Sequence, residues 1–293
     1  MRCTKAIVTL AIGTEYVRAW EKCCKTHWQQ YANRHAYDLV CIDRPLDTTA
    51  RAQQRSPAWQ KCLVLSQVFS HQYERIVWID SDVLINAQSA PDISAGVPAD
   101  KVGAVSMYEQ PTPALYMQVL SRMYEYWGRA AMRNYTADEY HTLWGLPSGY
   151  NQVVQSGVLV LSPKHHRECL EKVYYGYEEK GGREWHMEMR PLSYELQHAG
   201  VIHWLDGRFN TMWPEILFLH YPFLLSQKSK RSRGGRALRE LCSRLGGLSD
   251  VDLKRAAMTN AFLNSYFFHL GGGELADMQL VNQGCTSFLE CSL

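Results

Sequence analysis

Two aspartates separated by one residue, Asp80-Ser81-Asp82, are the part of this chain best equipped for chemistry. Carboxylates so spaced on a turning backbone can converge on one hard cation. Mg²⁺ and Mn²⁺ favour such oxygen ligands and complete their shell with substrate phosphates and water. A cation held there neutralises the charge that develops on a leaving diphosphate. The same triplet also serves as a helix cap or an Asx turn, so spacing alone does not choose between these uses. What precedes it narrows the choice: Arg75 to Ile79 is an apolar, β-branched run that predicts a strand with the aspartates at its carboxyl end.

The elements needed to position that pair are legible upstream and downstream. Ala6 to Leu10 reads as a buried strand closed by Gly13-Thr14, and Leu39 to Ile42 as a second strand. Between them Tyr16 to Tyr31 has helical periodicity, with Val17, Trp20, Cys24, His27 and Trp28 on one face. Ala58 to Phe69 is helical again, with Cys62, Leu65 and Phe69 in register. Val102 to Ser106, Gly157 to Leu161 and Val201 to Leu205 predict further strands. Leu115 to Met132, His165 to Glu179 and Leu192 to His198 predict helices. Strands alternating with helices indicate an α/β fold with a mixed, mainly parallel central sheet flanked by helices. Ligands bind such sheets at the carboxyl ends of the strands, where the Gly13 turn, Asp80 and Asp82 all fall.

The bulk properties exclude several classes. A chain of 293 residues with no repeat or clear domain break predicts one domain, 1–293, and 46% hydrophobic with 20% charged residues is an ordinary globular composition. A net charge of +2 does not by itself argue for a nucleic-acid or membrane partner. The nine cysteines include one adjacent pair, Cys23-Cys24, and no C-x-x-C, which suggests neither a zinc site nor a disulfide framework. Scattered thiols fit a reducing compartment. The best apolar run, Ile216 to Leu225, is short and holds His220 and Pro222, so no membrane span is expected. Arg2 and Lys5 before Ala6 to Ile12 faintly imitate a signal peptide, but Glu15 and Arg18 follow at once; a cytoplasmic protein is expected. The sequon Asn134-Tyr135-Thr136 is then incidental. Two segments stand apart: an aromatic, helical insert over about 107–150, and a basic loop over about 227–247 with a short helix predicted at Ala237 to Leu245.

Five blocks in order resemble the metal-dependent glycosyltransferases of the GT-A fold, in particular the glycogenin-like, retaining family eight. They are Val8 to Tyr16; Trp59 to Leu65 leading to Ile76 to Ile85; Asn151 to Pro163; Glu188 to Ser193; and Phe267 to Gly273. The resemblance is fullest over residues 6 to about 85 and thins towards 273. It implies a nucleotide-sugar donor, UDP-linked, with Mn²⁺ (or Mg²⁺) as cofactor. Backbone at Leu10, Ala11, Ile12 and Gly13 would hold the nucleoside, and Tyr16 would stack on the base. Asp80, Asp82 and His269 would hold the metal, with Ser81 and Gly271 against the donor. Lys61 would reach the diphosphate or sugar, while Gln155, Ser156 and Gly157 would contact the donor sugar.

Glu188 would stand beside the anomeric carbon, with Glu195 as the alternative acid. The chain departs from the family pattern in three places. Gln155 stands where the family has Asn, Met189 where it has an amide, and Glu274 follows Gly273 where it has Lys-Pro-Trp. Two other readings stay open on these residues: a non-catalytic sugar-nucleotide or glycan-binding module, and a nucleotidyltransferase or phosphohydrolase. The acceptor is undefined: a glycan, a small molecule, or DNA with hydroxymethylated bases contacted through the basic segment 228–244.

Overall fold

The computed structural model describes residues 3–128, 135–179, 187–225, 249–272 and 275–290. Nine strands and ten α-helices are assigned among these residues. The strands are β1 Lys5–Leu10, β2 Tyr37–Ile42, β3 Arg75–Ile79, β4 Val83–Ile85, β5 Val102–Ser106, β6 Val154–Leu161, β7 Ile202–Trp204, β8 Thr211–Met212 and β9 Phe267–His269. The helices are α1 Thr14–Cys23, α2 Lys25–His35, α3 Ala50–Gln53, α4 Pro113–Tyr126, α5 Ala137–Thr142, α6 Pro163–Gly176, α7 Met189–His198, α8 Trp213–His220, α9 Asp250–Leu263 and α10 Leu275–Glu290.

Six strands form the central sheet in the order β2-β1-β3-β6-β5-β7. β1 pairs in parallel with β2 and β3, and β5 with β7, while β6 runs antiparallel to both β3 and β5. Alternation along the strands divides the core into two layers. Ile7, Val77, Ile79, Val158 and Val160 face α1, α2, α9 and α10, where Trp20, Trp28, Tyr31, Met258 and Met278 meet them. Ala6, Val8, Ile76, Trp78, Leu159 and Leu161 face the other way, onto Trp59, Cys62, Leu65, Leu170 and Leu192. Both faces are thus covered, which is why these strands read as continuous apolar runs. A second sheet, β4-β9-β8, sits beyond the end of β3.

Several elements differ from the sequence expectation. The helix expected over Tyr16 to Tyr31 is interrupted at Cys24, whose thiol approaches the Val83 carbonyl to 3.3 Å; the Trp28 indole donates to the same oxygen at 3.0 Å. The segment expected as a helix over Ala58 to Phe69 forms 3-10 turns at Pro57–Ser66 and Val68–Gln72. Every residue from Trp59 to Leu65 is buried, so packing on all sides, rather than one amphipathic face, sets its geometry.

The strand expected from Gly157 begins earlier, at Val154. Most of the aromatic stretch is core: Tyr108, Tyr116, Tyr124 and Tyr140 are buried together with Val153 and Met189. The sequon's Asn134, the end of the helix expected to Met132, and the basic loop with its predicted helix lie outside the described residues. No helix among the described residues is long and apolar enough to cross a membrane.

Candidate functional site

Three features of the topology bring distant residues to one place. β3 delivers Asp80 to the carboxyl edge of the sheet, where the Asp80 amide donates to the Gly157 carbonyl at 2.8 Å. Because β6 is antiparallel, its amino-terminal end, with Gln155, Ser156 and Gly157, lies at that same edge. After the turn at Asp80 to Asp82 the chain enters β4, and pairing with β9 sets His269 opposite Val83. The His269 Nε2 then lies 3.2 Å from Asp82 Oδ1.

Gly157 is required by this arrangement. A Cβ there would stand 2.3 Å from His269 Cε1 and 2.6 Å from its Nδ1, so only glycine lets the imidazole approach the strand. The ring is oriented from its other side by Asn210, whose Oδ1 lies 2.9 Å from His269 Nδ1. An amide oxygen only accepts, so Nδ1 carries the hydrogen and Nε2 faces the carboxylates. Asp80, Asp82 and His269 each offer one ligand atom, all within 4.8 Å of one another; among the described residues this is the one such cluster. Two carboxylates and an imidazole suit Mn²⁺, and with more oxygen donors Mg²⁺, so the residues present fit a divalent ion.

Beside the cluster is a buried ionic network. The Lys61 ammonium, with 3% side-chain exposure, is 3.0 Å from Asp80 Oδ1 and 2.9 Å from Glu188 Oε1. It also donates to the Ser156 carbonyl at 3.3 Å, while Ser156 Oγ donates to Glu188 Oε1 at 2.8 Å. The Trp78 indole donates to Asp80 Oδ1 at 2.7 Å.

Burial opposes every charge in this group. For Lys61 it pulls the pKa down, but Asp80 and Glu188 more than reverse that and hold the ammonium above its ordinary range. Burial raises the Asp80 carboxyl, only partly offset by Lys61 and His269. At Asp82 burial is outweighed by the charge and hydrogen bond of His269 and by the Gly272 amide, and the carboxyl is drawn down to about 2. His269 is raised in turn: burial would lower it, and Asp82 overcomes that.

These groups line a cavity of about 990 Å³. Of the residues expected from sequence, Lys61, Asp80, Asp82, Gln155, Ser156, Glu188, His269 and Gly271 line it. Leu10, Ala11, Ile12, Gly13, Tyr16, Ser81 and Gly157 do not line it. The β1–β3 register, with Val8 level with Trp78, nevertheless sets the Leu10 to Gly13 turn at the same sheet edge as Asp80. Gly13 has φ +96°, a conformation that suits glycine, and Tyr16 beyond it is 51% exposed. Ser81 is half-buried, its carbonyl near the Cys24 thiol.

The alternative acid, Glu195, is occupied elsewhere: it accepts from Lys172 at 2.7 Å and from the Tyr177 hydroxyl at 2.5 Å. Sequence reasoning missed Asn210 and Trp78, which hold His269 and Asp80, and the cavity residues Glu215 and Lys254. No local signal marks Asn210. Trp78 is distinguishable only as an indole two residues before an aspartate in a strand.

No family model and no curated protein matches the chain. Solved structures do. A glycosyltransferase involved in the glycosylation of the major capsid of PBCV-1 is similar over 96% of this chain and 99% of its own, with a TM-score of 0.50 at 14% identity. The chain has the GT-A fold. Weaker likenesses, which add nothing to that conclusion, are to the galactosyltransferase LgtC in complex with donor and acceptor sugar analogs and to the bifunctional glycosyltransferase WbbM. LgtC has 12% identity over 95% of each chain and a TM-score of 0.46. WbbM has 12% identity over 96% of this chain but 50% of its own, and a TM-score of 0.49. At the carboxyl edge of this sheet Asp80, Asp82 and His269 line the cavity.

Proposed function

We propose that residues 1–293 form one GT-A domain that transfers a sugar from a nucleotide sugar, UDP-linked, to an acceptor hydroxyl. The observation that carries this reading is the convergence of Asp80, Asp82 and His269 at the ligand edge of a GT-A sheet, in one cavity with the Lys61–Glu188 pair. Asp80, Asp82 and His269 would hold Mn²⁺ (or Mg²⁺), which when bound supplies positive charge against the departing diphosphate. The turn at Leu10 to Gly13, open to solvent at Gly13, and the exposed Tyr16 ring would take the nucleoside, an aromatic face suiting a base. Gln155, Ser156 and Gly157 bring polar groups and a close backbone to the donor sugar, with Ser81 and Gly271 flanking the diphosphate.

Lys61 keeps its charge in a water-poor site and ties Asp80 to Glu188, so that donor-binding and reacting ends are held by one ammonium. Glu188 Oε1 is engaged by Lys61 and Ser156, while its Oε2 has no partner among the described residues. That oxygen would stabilise positive charge at the anomeric carbon as the sugar–phosphate bond lengthens. Retention of configuration follows if the leaving phosphate oxygen takes the acceptor proton on the same face. The seven described cysteines are all free, which supports a reducing, cytoplasmic location.

The test is a scan of UDP-, GDP- and CDP-sugars for Mn²⁺-dependent thermal stabilisation, followed by measurement of UDP release. UDP-sugars are expected to stabilise the protein and to be turned over, and Asp82→Ala to abolish both. Binding without turnover on any donor would make the chain a sugar-nucleotide-binding module. No stabilisation by any UDP-sugar would refute the assignment.

A further inference from the structure

The cavity extends beyond the Asp80, Asp82 and His269 cluster. Its volume of about 990 Å³ stands at the top of the roughly 300–1,000 Å³ range of small-molecule sites, which leaves room beside a donor. Its polar groups lie at the sheet edge and on α9 and α10, which add Asp250, Lys254 and Asp277. The opposite wall is built by α4 and α8 and is apolar, with Tyr116, Leu120 and Met123 from one helix and Trp213, Leu217 and Phe218 from the other. The two helices are packed together here, the Phe218 ring lying 5.5 Å from Tyr126 and 5.8 Å from Trp127 in edge contacts. This is a formed wall of rings.

One acid stands in that wall. Glu215, in the first turn of α8, lines the cavity and is partly exposed to it. It has no hydrogen-bond or ion-pair partner among the described residues. A glutamate at this helical position ordinarily reaches back to the N-cap amide, but the α8 cap at Met212 is made without any side chain. Desolvation pushes the Glu215 carboxyl up to about 8. A polar group enclosed by apolar surface without a partner is costly, and a ligand that brings a donor removes the cost. The cation on α9 that also lines the cavity, Lys254, is already paired with Asp277 at 2.6 Å.

Resting on the glycosyltransferase reading, we propose that this chamber is the acceptor subsite, that it takes a hydroxyl compound with an apolar aryl or alkyl body, and that Glu215 binds a hydroxyl of that acceptor. Rings and thioethers cover the apolar body; the carboxyl fixes the end that carries hydroxyls. A phosphate-rich acceptor such as DNA would meet an acid and aromatic faces on this wall, which is the wrong chemistry for it.

The experiment is calorimetric titration of the Mn²⁺–UDP-loaded protein with phenyl and hexyl β-glucosides, against methyl β-glucoside. The aryl and alkyl glycosides are expected to bind about tenfold tighter or more. Glu215→Ala should weaken their binding about tenfold, Glu215→Gln should retain most of it, and neither should change affinity for Mn²⁺–UDP. Phe218→Ala should erase most of the preference over the methyl glycoside. Equal binding of all three glycosides, or no binding of any, overturns the inference, as does unchanged acceptor affinity in Glu215→Ala. Failure of Mn²⁺–UDP itself to bind overturns the glycosyltransferase reading, and this inference with it; bound Mn²⁺–UDP without an aglycone preference overturns this inference alone.

Discussion

Lys61→Met tests the ionic network directly, because methionine fills much the same volume while removing the charge. The ammonium stands 3.0 Å from Asp80 and 2.9 Å from Glu188, and Lys61 and Glu188 each have 3% side-chain exposure. Removing one partner of a buried pair costs about 3–5 kcal/mol, since the other charge is left uncompensated. Glu188 falls in that class. Asp80 is 28% exposed and keeps the Trp78 indole, so its share is smaller, about 1 kcal/mol or less. A total of about 4 kcal/mol is expected at pH 7, a large fraction of the ~5–15 kcal/mol that holds a domain together.

Urea unfolding followed by tryptophan fluorescence at pH 7 should find that deficit. Adding Glu188→Gln should recover roughly 2 kcal/mol. A deficit under about 1 kcal/mol at pH 7 would refute the account.

Three further predictions follow from the same geometry. Gly157→Ala places a methyl within 2.3 Å of His269 Cε1 and should remove Mn²⁺-dependent stabilisation, read as a lost shift in Tm; a normal shift would contradict the fit of ring to strand. Asn210→Ala frees His269 Nδ1 and should weaken Mn²⁺ binding about 10- to 100-fold by calorimetry, with Asn210→Leu behaving alike. Glu215→Gln should be stabilising at neutral pH. The Glu215 carboxyl, raised to about 8, keeps its proton where the unfolded chain has lost it, so native stability falls as pH climbs towards 8. The variant should gain about 1–3 kcal/mol at pH 7 and nothing near pH 4. A margin that does not grow with pH would show that the carboxyl is solvated.

What the sequence determined by itself was local. The strands Arg75–Ile79 and Val102–Ser106 fall where apolar β-branched runs put them, because a strand buried on both faces needs no partner's identity to be recognised. Asp80 and Asp82 were legible for the same reason: neighbours in sequence at a strand end are neighbours in space. Helix type was less legible. Pro57–Ser66 has helical spacing, yet burial on every side makes it 3-10.

Tertiary structure decided whatever depended on register and crossing. The antiparallel sense of β6 turns Gln155 and Ser156 to the metal edge, and the β4–β9 pairing puts His269 beside Asp82. Asn210 and Glu215 carry no pattern of their own. One gains its role because β8 runs beside β9, the other because α8 closes a cavity against α4. Sequence spacing encodes which face a residue presents along its own element, while the partner of that face is set by packing between elements far apart in the chain.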